Sequence, residues 1–354
     1  MKHGISLLPD CSPQQRTARE YFVDALRACE LADRLGFDYV KMTEHYLRDY
    51  GGYCPSPLGF LTAASARTSR IRLMTGGIQA SFHHPVQLAA ETSQLDAISG
   101  GRLEVGFARA WLPYEFEVFG IDLDDSRERF TTTIEAVLKL WTETSATEDT
   151  PFFRYTDATS LPPVTQTPHP PVWVAAVRSR ESFAWIGHQG LSLLIASPPK
   201  EDELPRMREM VEVYRETFEE EHGASGHRPR VGLSVPLYVA DTDAEASRNA
   251  EPLLREYLRV WGEAAASWTG VTSSAYPGYS TPGKTFLAAA RADVLSTATG
   301  VVGSPGTVID KIATLRDQLC LDTMLWQIDY GGQDWPSMER NITLFAREVM
   351  PKIS

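Results

Sequence analysis

Thr43-Glu44-His45 is the strongest chemical signal in this sequence. It directly follows an apolar run, residues 37–42, that predicts a buried strand. A strand-end imidazole can donate a hydrogen bond or transfer a proton near neutral pH. Glu44 can tune that imidazole or pair with another base; the plainer alternative is a polar triplet that satisfies loop backbone. Arg109 follows a second predicted strand, where its rigid fork of donors suits a phosphate or a rim salt bridge. Arg178-Ser179-Arg180-Glu181-Ser182 follows a third and opens a helix. Its hydroxyls, backbone N–H groups and helix dipole suit an anion, and Ser179 also suits a simple N-cap. Gly76-Gly77 ends a fourth predicted strand, where it allows a flat ligand close to the backbone or makes a tight turn. Trp111, Tyr114 and Phe116 can line a pocket or an ordinary core.

Other chemistries find less support. His83-His84-Pro85 lies on the same predicted rim, but no H-E-x-x-H or comparable metal-ligand spacing accompanies it, so no metal is expected. Neither a G-x-S-x-G elbow nor a P-loop is present. Chemistry borrowed from a bound cofactor fits these residues better than acyl transfer, phosphoryl transfer or glycoside hydrolysis.

The elements that must position these groups alternate along the whole chain. Strands are predicted at 4–8, 37–42, 71–75, 102–107, 172–176, 191–195, 231–239 and 321–328. Helices are predicted between them, at 12–35, up to 68, from 85 to about 99, and at 126–141, 179–187, 201–221, 243–266 and 305–319, with a last one at 337–350. Residues 151–171, rich in proline, are expected to be irregular. Eight strands alternating with helices predict an α/β TIM-type (β/α)8 barrel with loop insertions. An open doubly wound sheet is the fallback, and its G-x-G-x-x-G fingerprint is missing after the first strand. On this reading residues 1–354 are one barrel domain, with 264–299 an insertion or lid rich in Ser, Gly, Tyr and Pro.

The 354 residues, 43% hydrophobic, can bury a large core. A formal net charge of −12 argues against nucleic-acid binding and against attraction to anionic membranes. Cys11, Cys29, Cys54 and Cys320 form no C-x-x-C pair, so free thiols in a reducing compartment are expected. With no signal-peptide pattern and no long apolar run, a cytoplasmic protein is expected.

Several segments also match, in order and spacing, a known family. They are Leu35-Gly36-Phe37-Asp38 with Thr43-Glu44-His45, residues 63–70 with Ile71-Arg72-Leu73, His84-Pro85 with the run 95–103, and residues 303–315. In these the chain resembles the bacterial-luciferase-like family of flavin-dependent monooxygenases. The resemblance implies a non-covalent reduced flavin mononucleotide (FMN), supplied by a separate flavin reductase. It further implies O2 as co-substrate, a peroxyflavin intermediate and a small organic substrate. His45 falls on the family's active-site histidine and Arg109 on a phosphate-contacting arginine. Ser179 and Ser182 fall on positions that hold the phosphate and ribityl chain. Gly76-Gly77 falls where luciferase has a non-proline cis peptide against the flavin. Arg178 replaces a phosphate-side glutamate and adds positive charge. Ala108 replaces a reactive cysteine and Tyr46 a second histidine, which speaks against light emission from a fatty aldehyde. A homodimer packed through early barrel helices is the family expectation. Two alternatives stay open: a deazaflavin (F420)-dependent oxidoreductase transferring hydride, and a non-catalytic flavin-binding partner protein.

Overall fold

Strand residues alternate between two faces, and here the outward face is apolar while the inward face mixes polar groups with a small apolar cluster. The computed structural model describes residues 1–279 and 300–353. All eight predicted strands form: β1 (Lys2–Leu7), β2 (Tyr39–Met42), β3 (Arg72–Thr75), β5 (Leu103–Ala108), β8 (Val172–Ala176), β9 (Ser192–Ile195), β10 (Val231–Val239) and β12 (Thr323–Gln327). Two-residue β4 (Ile78–Gln79) continues beside β5, and β11 (Val301–Gly303) runs beside the end of β10. The ring closes because β10 pairs with both β9 and β12, and β12 pairs with β1, all in parallel. The fold is a TIM-type (β/α)8 barrel.

Ile5, Leu7, Val40, Leu73, Val105, Phe107, Val174, Leu193 and Met324 face outward and are buried under the helices. These helices are α1 (Ala18–Leu35), α2 (Pro57–Ser65), α3 (Pro85–Ile98), α4 (Pro113–Phe119), α5 (Ser126–Thr142), α6 (Arg180–His188), α7 (Leu204–His222), α8 (Asp243–Ala265), α9 (Pro305–Leu319) and α10 (Trp335–Leu344). Inside the barrel, Tyr39, Met74, Trp173, Leu194 and Leu325 form a separate small cluster. Toward the N-terminal end of the strands, buried Glu104 takes hydrogen bonds from Arg72 (2.6 Å), Trp173 (2.6 Å) and Tyr39 (3.3 Å), and pairs with Arg230. A carboxylate so fully partnered can be buried without an unmet charge. The opposite end of the barrel is left to carry the chemistry.

Three expectations need correction. The first helix begins at Ala18, not at residue 12, because Thr17 and Glu20 form a reciprocal capping box there. Residues 151–171 are not wholly irregular: β6 (Ala146–Asp149) and β7 (Arg154–Ala158) make an antiparallel hairpin before the proline-rich stretch. The last helix starts at Trp335, capped by Asp334, and its end loosens into a π-type turn at Phe345–Val349. In the expected lid, Trp268 and Tyr276 are buried against Ala110 and Phe116. Residues 280–299 of that lid lie outside the described residues.

Candidate active site

β2 ends at Met42, and the chain then turns His45 inward, where only 6% of it stays exposed. Its Nδ1 lies 3.1 Å from Glu115 Oε1 and 3.1 Å from Gln79 Nε2. The two partners serve different protonation states. The neutral ring accepts from the Gln79 amide at Nδ1 and carries its proton on Nε2; the imidazolium donates Nδ1–H to Glu115. Nε2 has no hydrogen bond among the described residues and is the atom left to exchange a proton. The ring also lies 4.7 Å from that of Tyr50. Glu115 is fully buried in the first turn of α4. Its Oε1 also accepts from the Tyr46 backbone N–H (2.9 Å), and its Oε2 has no partner among the described residues.

Glu44 does not contact His45 with its carboxylate. It accepts from the Tyr46 hydroxyl (2.5 Å), His83 Nε2 (2.8 Å) and the Gln79 backbone N–H (3.1 Å), so it braces the loops around His45. Of the roles open to it in the sequence, pairing with another base forms with His83, and so does satisfying a loop backbone N–H. Burial opposes charge on His83, but the hydrogen bond and charge of Glu44, with the charge of Glu91, outweigh it and raise the His83 pKa. The neighbouring His84 points elsewhere and caps α3 through Val86 N.

Gly76 and Gly77 lie between β3 and β4, both buried, and the peptide joining them is cis. The Gly76 carbonyl accepts from Thr43 Oγ1 (3.0 Å) and Lys41 Nζ (3.1 Å). A Cβ on Gly77 would stand 2.6 Å from the Phe107 backbone, and one on Gly106 only 2.1 Å from the Thr75 oxygen. Side chains are thus excluded where β3 and β5 meet at the barrel mouth. β4 then pairs Gln79 with Ala108, which sets the partner of His45 beside Arg109.

Around Arg109 the charge is positive. Its guanidinium stacks 4.0 Å from the centre of the Tyr276 ring and donates from Nη2 to Ala275 O (2.9 Å). Its Nη1 is buried with no acceptor among the described residues. Arg127, in the first turn of α5, donates to Ser179 Oγ (3.1 Å) and Ser182 Oγ (3.3 Å) and lies 3.5 Å from Glu181. Burial lowers the Arg127 pKa first, and the nearby charge of Arg109 lowers it further. Exposed Arg178 precedes α6, and its charge reaches Tyr279 together with that of Arg109. Ser179 also caps α6, accepting from Ser182 N. Ser179 is thus an N-cap whose hydroxyl also accepts from Arg127. An orphaned guanidinium N–H, three arginines and a helix N-terminus fit a phosphate.

The structure thus places Arg109, Ser179 and Ser182 around Arg127 and leaves Arg178 at the rim. His45 stands apart from them, linked through Gln79 and β4. Arg127, Gln79, Glu115 and Lys41 were not singled out by sequence reasoning. A basic residue in a predicted first helical turn was the only available signal for Arg127; the others carried none. Aromatic side chains flank the His45 side: Tyr50 meets Trp111 (5.9 Å), and Trp111 meets Trp261 (5.8 Å). A groove of about 490 Å³ lined by Tyr238, Asn249 and Arg340 contains none of these groups.

Known proteins resemble this chain in sequence and in fold. A family model described as luciferase-like monooxygenase matches residues 1–322. The oxygenase component of a flavin-dependent trigonelline monooxygenase from Acinetobacter baylyi is 29% identical over 251 residues, covering 70% of this chain and 68% of that protein. The crystal structure of monooxygenase RslO1 from Streptomyces bottropensis superposes with a TM-score of 0.84 at 33% identity, covering 100% of both chains. Two more distant structures show the fold alone. One is the oxygenating constituent of 3,6-diketocamphane monooxygenase from Pseudomonas putida in complex with FMN (TM-score 0.78, 22% identity, covering 100% of this chain and 99% of that one). The other is the F420-dependent tetrahydromethanopterin reductase of Methanopyrus kandleri (TM-score 0.69, 19% identity, covering 100% and 99%).

Proposed function

Because this chain belongs to the family of luciferase-like monooxygenases, we propose that it is the oxygenase component of a two-component system. It takes reduced FMN from a separate flavin reductase and, with O2, oxygenates a small organic substrate. When bound, reduced FMN supplies the electrons that activate O2, placing one oxygen atom in the substrate and releasing the other as water.

The observation that carries this reading is the two-ended mouth joined by β4 and β5. At one end Arg109 and Arg127, with Ser179, Ser182 and Arg178, would hold the phosphate, and the orphaned Arg109 N–H is free to donate to it. Between the ends, Gly76 and Gly77, packed against Lys41 and the Phe107 backbone, would lie beneath the flat ring. At the other end His45 holds or gives a proton at Nε2, while Gln79 and Glu115 fix its ring through Nδ1. Tyr50, Trp111 and Trp261 limit water there and suit a largely apolar substrate with flat or ring-shaped parts. Tyr276, from the segment after α8, stacks on Arg109, and Trp268 packs against Tyr276. On this reading the enzyme works as a homodimer in the cytoplasm, and sedimentation of the purified protein checks the dimer.

The test is anaerobic titration with reduced FMN, then mixing with oxygenated buffer. Tight binding of reduced FMN, with O2 consumed on oxidation, supports the oxygenase. Binding of reduced F420 in preference to FMN, with no O2 consumed during turnover, would refute it.

A further inference from the structure

Lys41 is a buried cation that the mouth described above does not yet use. It is 5% exposed, and the pairing of β2 with β1 sets it beside Ser6 inside the C-terminal end of the barrel. Its ammonium donates to two neutral acceptors, Gly76 O (3.1 Å) and Thr43 Oγ1 (3.3 Å). No carboxylate forms an ion pair with it among the described residues. The acidic group whose field reaches it is Asp329, whose carboxylate is committed to Leu8 N (2.9 Å) and the Tyr21 hydroxyl (2.7 Å). Burial pushes the Lys41 pKa down to about 8, against the opposing field of Asp329. Buried charges are ordinarily paired.

A second unmet donor lies across β1. Ser6 pairs in register with both Lys41 and Gln327, and alternation turns Gln327 into the same end of the barrel. Gln327 is 5% exposed, and its amide nitrogen is buried with no acceptor among the described residues. The stem of Lys41 packs against Gly76, 2.2 Å from where a Cβ would stand, so only glycine fits beside it. A buried ammonium and an orphaned amide together ask for a negatively charged ligand edge with hydrogen-bond acceptors.

We infer that Lys41, assisted by Gln327, recognises the ionised pyrimidine edge of the reduced flavin ring and so selects reduced over oxidised cofactor. This rests on the flavin reading above. Two-electron reduction leaves negative charge on that edge of the ring, and a nearby positive charge favours the reduced form. Such selection suits an enzyme that must take reduced flavin from another protein in the presence of oxidised flavin.

The experiment measures dissociation constants for oxidised FMN and for anaerobically reduced FMN, by flavin fluorescence and absorbance. It uses the wild type, Lys41→Met and Lys41→Gln. The glutamine variant keeps a donor for Gly76 O and removes only the charge, so it decides the matter if Lys41→Met fails to fold. Both variants should lose affinity for reduced FMN by about tenfold or more while oxidised FMN changes little. By linkage, the potential of the bound cofactor then falls by about 30 mV. Equal loss for both redox forms, or no loss for either, would overturn the assignment and leave the flavin reading standing. Failure of the wild type to bind either form would overturn both.

Discussion

Replacing Arg127 with leucine should weaken FMN far more than riboflavin, which lacks the phosphate. In the structure Arg127 reaches Ser179 and Ser182 at 3.1 and 3.3 Å, close to the buried orphan N–H of Arg109. A charge-assisted hydrogen bond contributes about 1.5–3 kcal/mol. Every 1.4 kcal/mol is about tenfold in affinity, so the ratio of riboflavin to FMN dissociation constants should fall by roughly 10- to 150-fold. The two ligands and two proteins form a double cycle that isolates the phosphate from general damage to the site. Anaerobic titrations with reduced FMN and reduced riboflavin supply all four constants. Arg109→Lys serves as companion, because it keeps a charge but loses the fork and its stacking on Tyr276. If Arg127→Leu weakens FMN and riboflavin equally, Arg127 only braces Ser179 and Ser182, and the phosphate assignment is wrong.

Three further outcomes are expected. His45→Gln should keep reduced-FMN binding within a few-fold yet lower the turnover number by about 10²- to 10⁴-fold, read by coupled O2 and product assays. Gly106→Ala should destabilise the fold by about 3 kcal/mol or more in urea unfolding, since its Cβ meets the Thr75 backbone oxygen at 2.1 Å with no flexible atom to yield. The third concerns pH. Burial raises the Asp329 pKa from 3.8 to about 7, so its stabilising contribution is complete below pH 3.8 and is lost as pH rises through 7. The stability of Asp329→Asn relative to wild type should therefore improve between about pH 4 and 8, by an amount on the order of 4 kcal/mol. A relative stability that stays flat across that range would contradict the buried-carboxyl account.

All eight strands were legible because each is a short apolar run with helical patterns around it, and their outward residues had to be apolar to meet those helices. Thr43-Glu44-His45 and Gly76-Gly77 were visible because they sit where such runs stop. Arg127 was hidden because the sequence of α5 advertises the buried face of Ile134, Val137 and Trp141, and a charge in the first turn reads as solvated surface. Lys41 was hidden inside an apolar run. Only the pairing of β2 with β1 and β3 shows that it points into the barrel rather than out. Glu115 and Gln79 lie 70 and 34 residues from His45, and no local pattern announces a pairing across such distances. The β6–β7 hairpin was obscured by the prolines that follow it.

The closing seam of the barrel bears on how the protein is made. β1 needs β12 as its second neighbour, and Leu8 is tied to Asp329, 321 residues further on. At ribosomal speeds of about 5–20 residues per second, that partner emerges roughly 15–60 seconds after β1. Through that interval the first strand keeps one edge open, an invitation to pair with another nascent chain. Yield in the cell should therefore depend on translation speed and on chaperone cover of the amino-terminal half, even for variants whose finished barrels are equally stable.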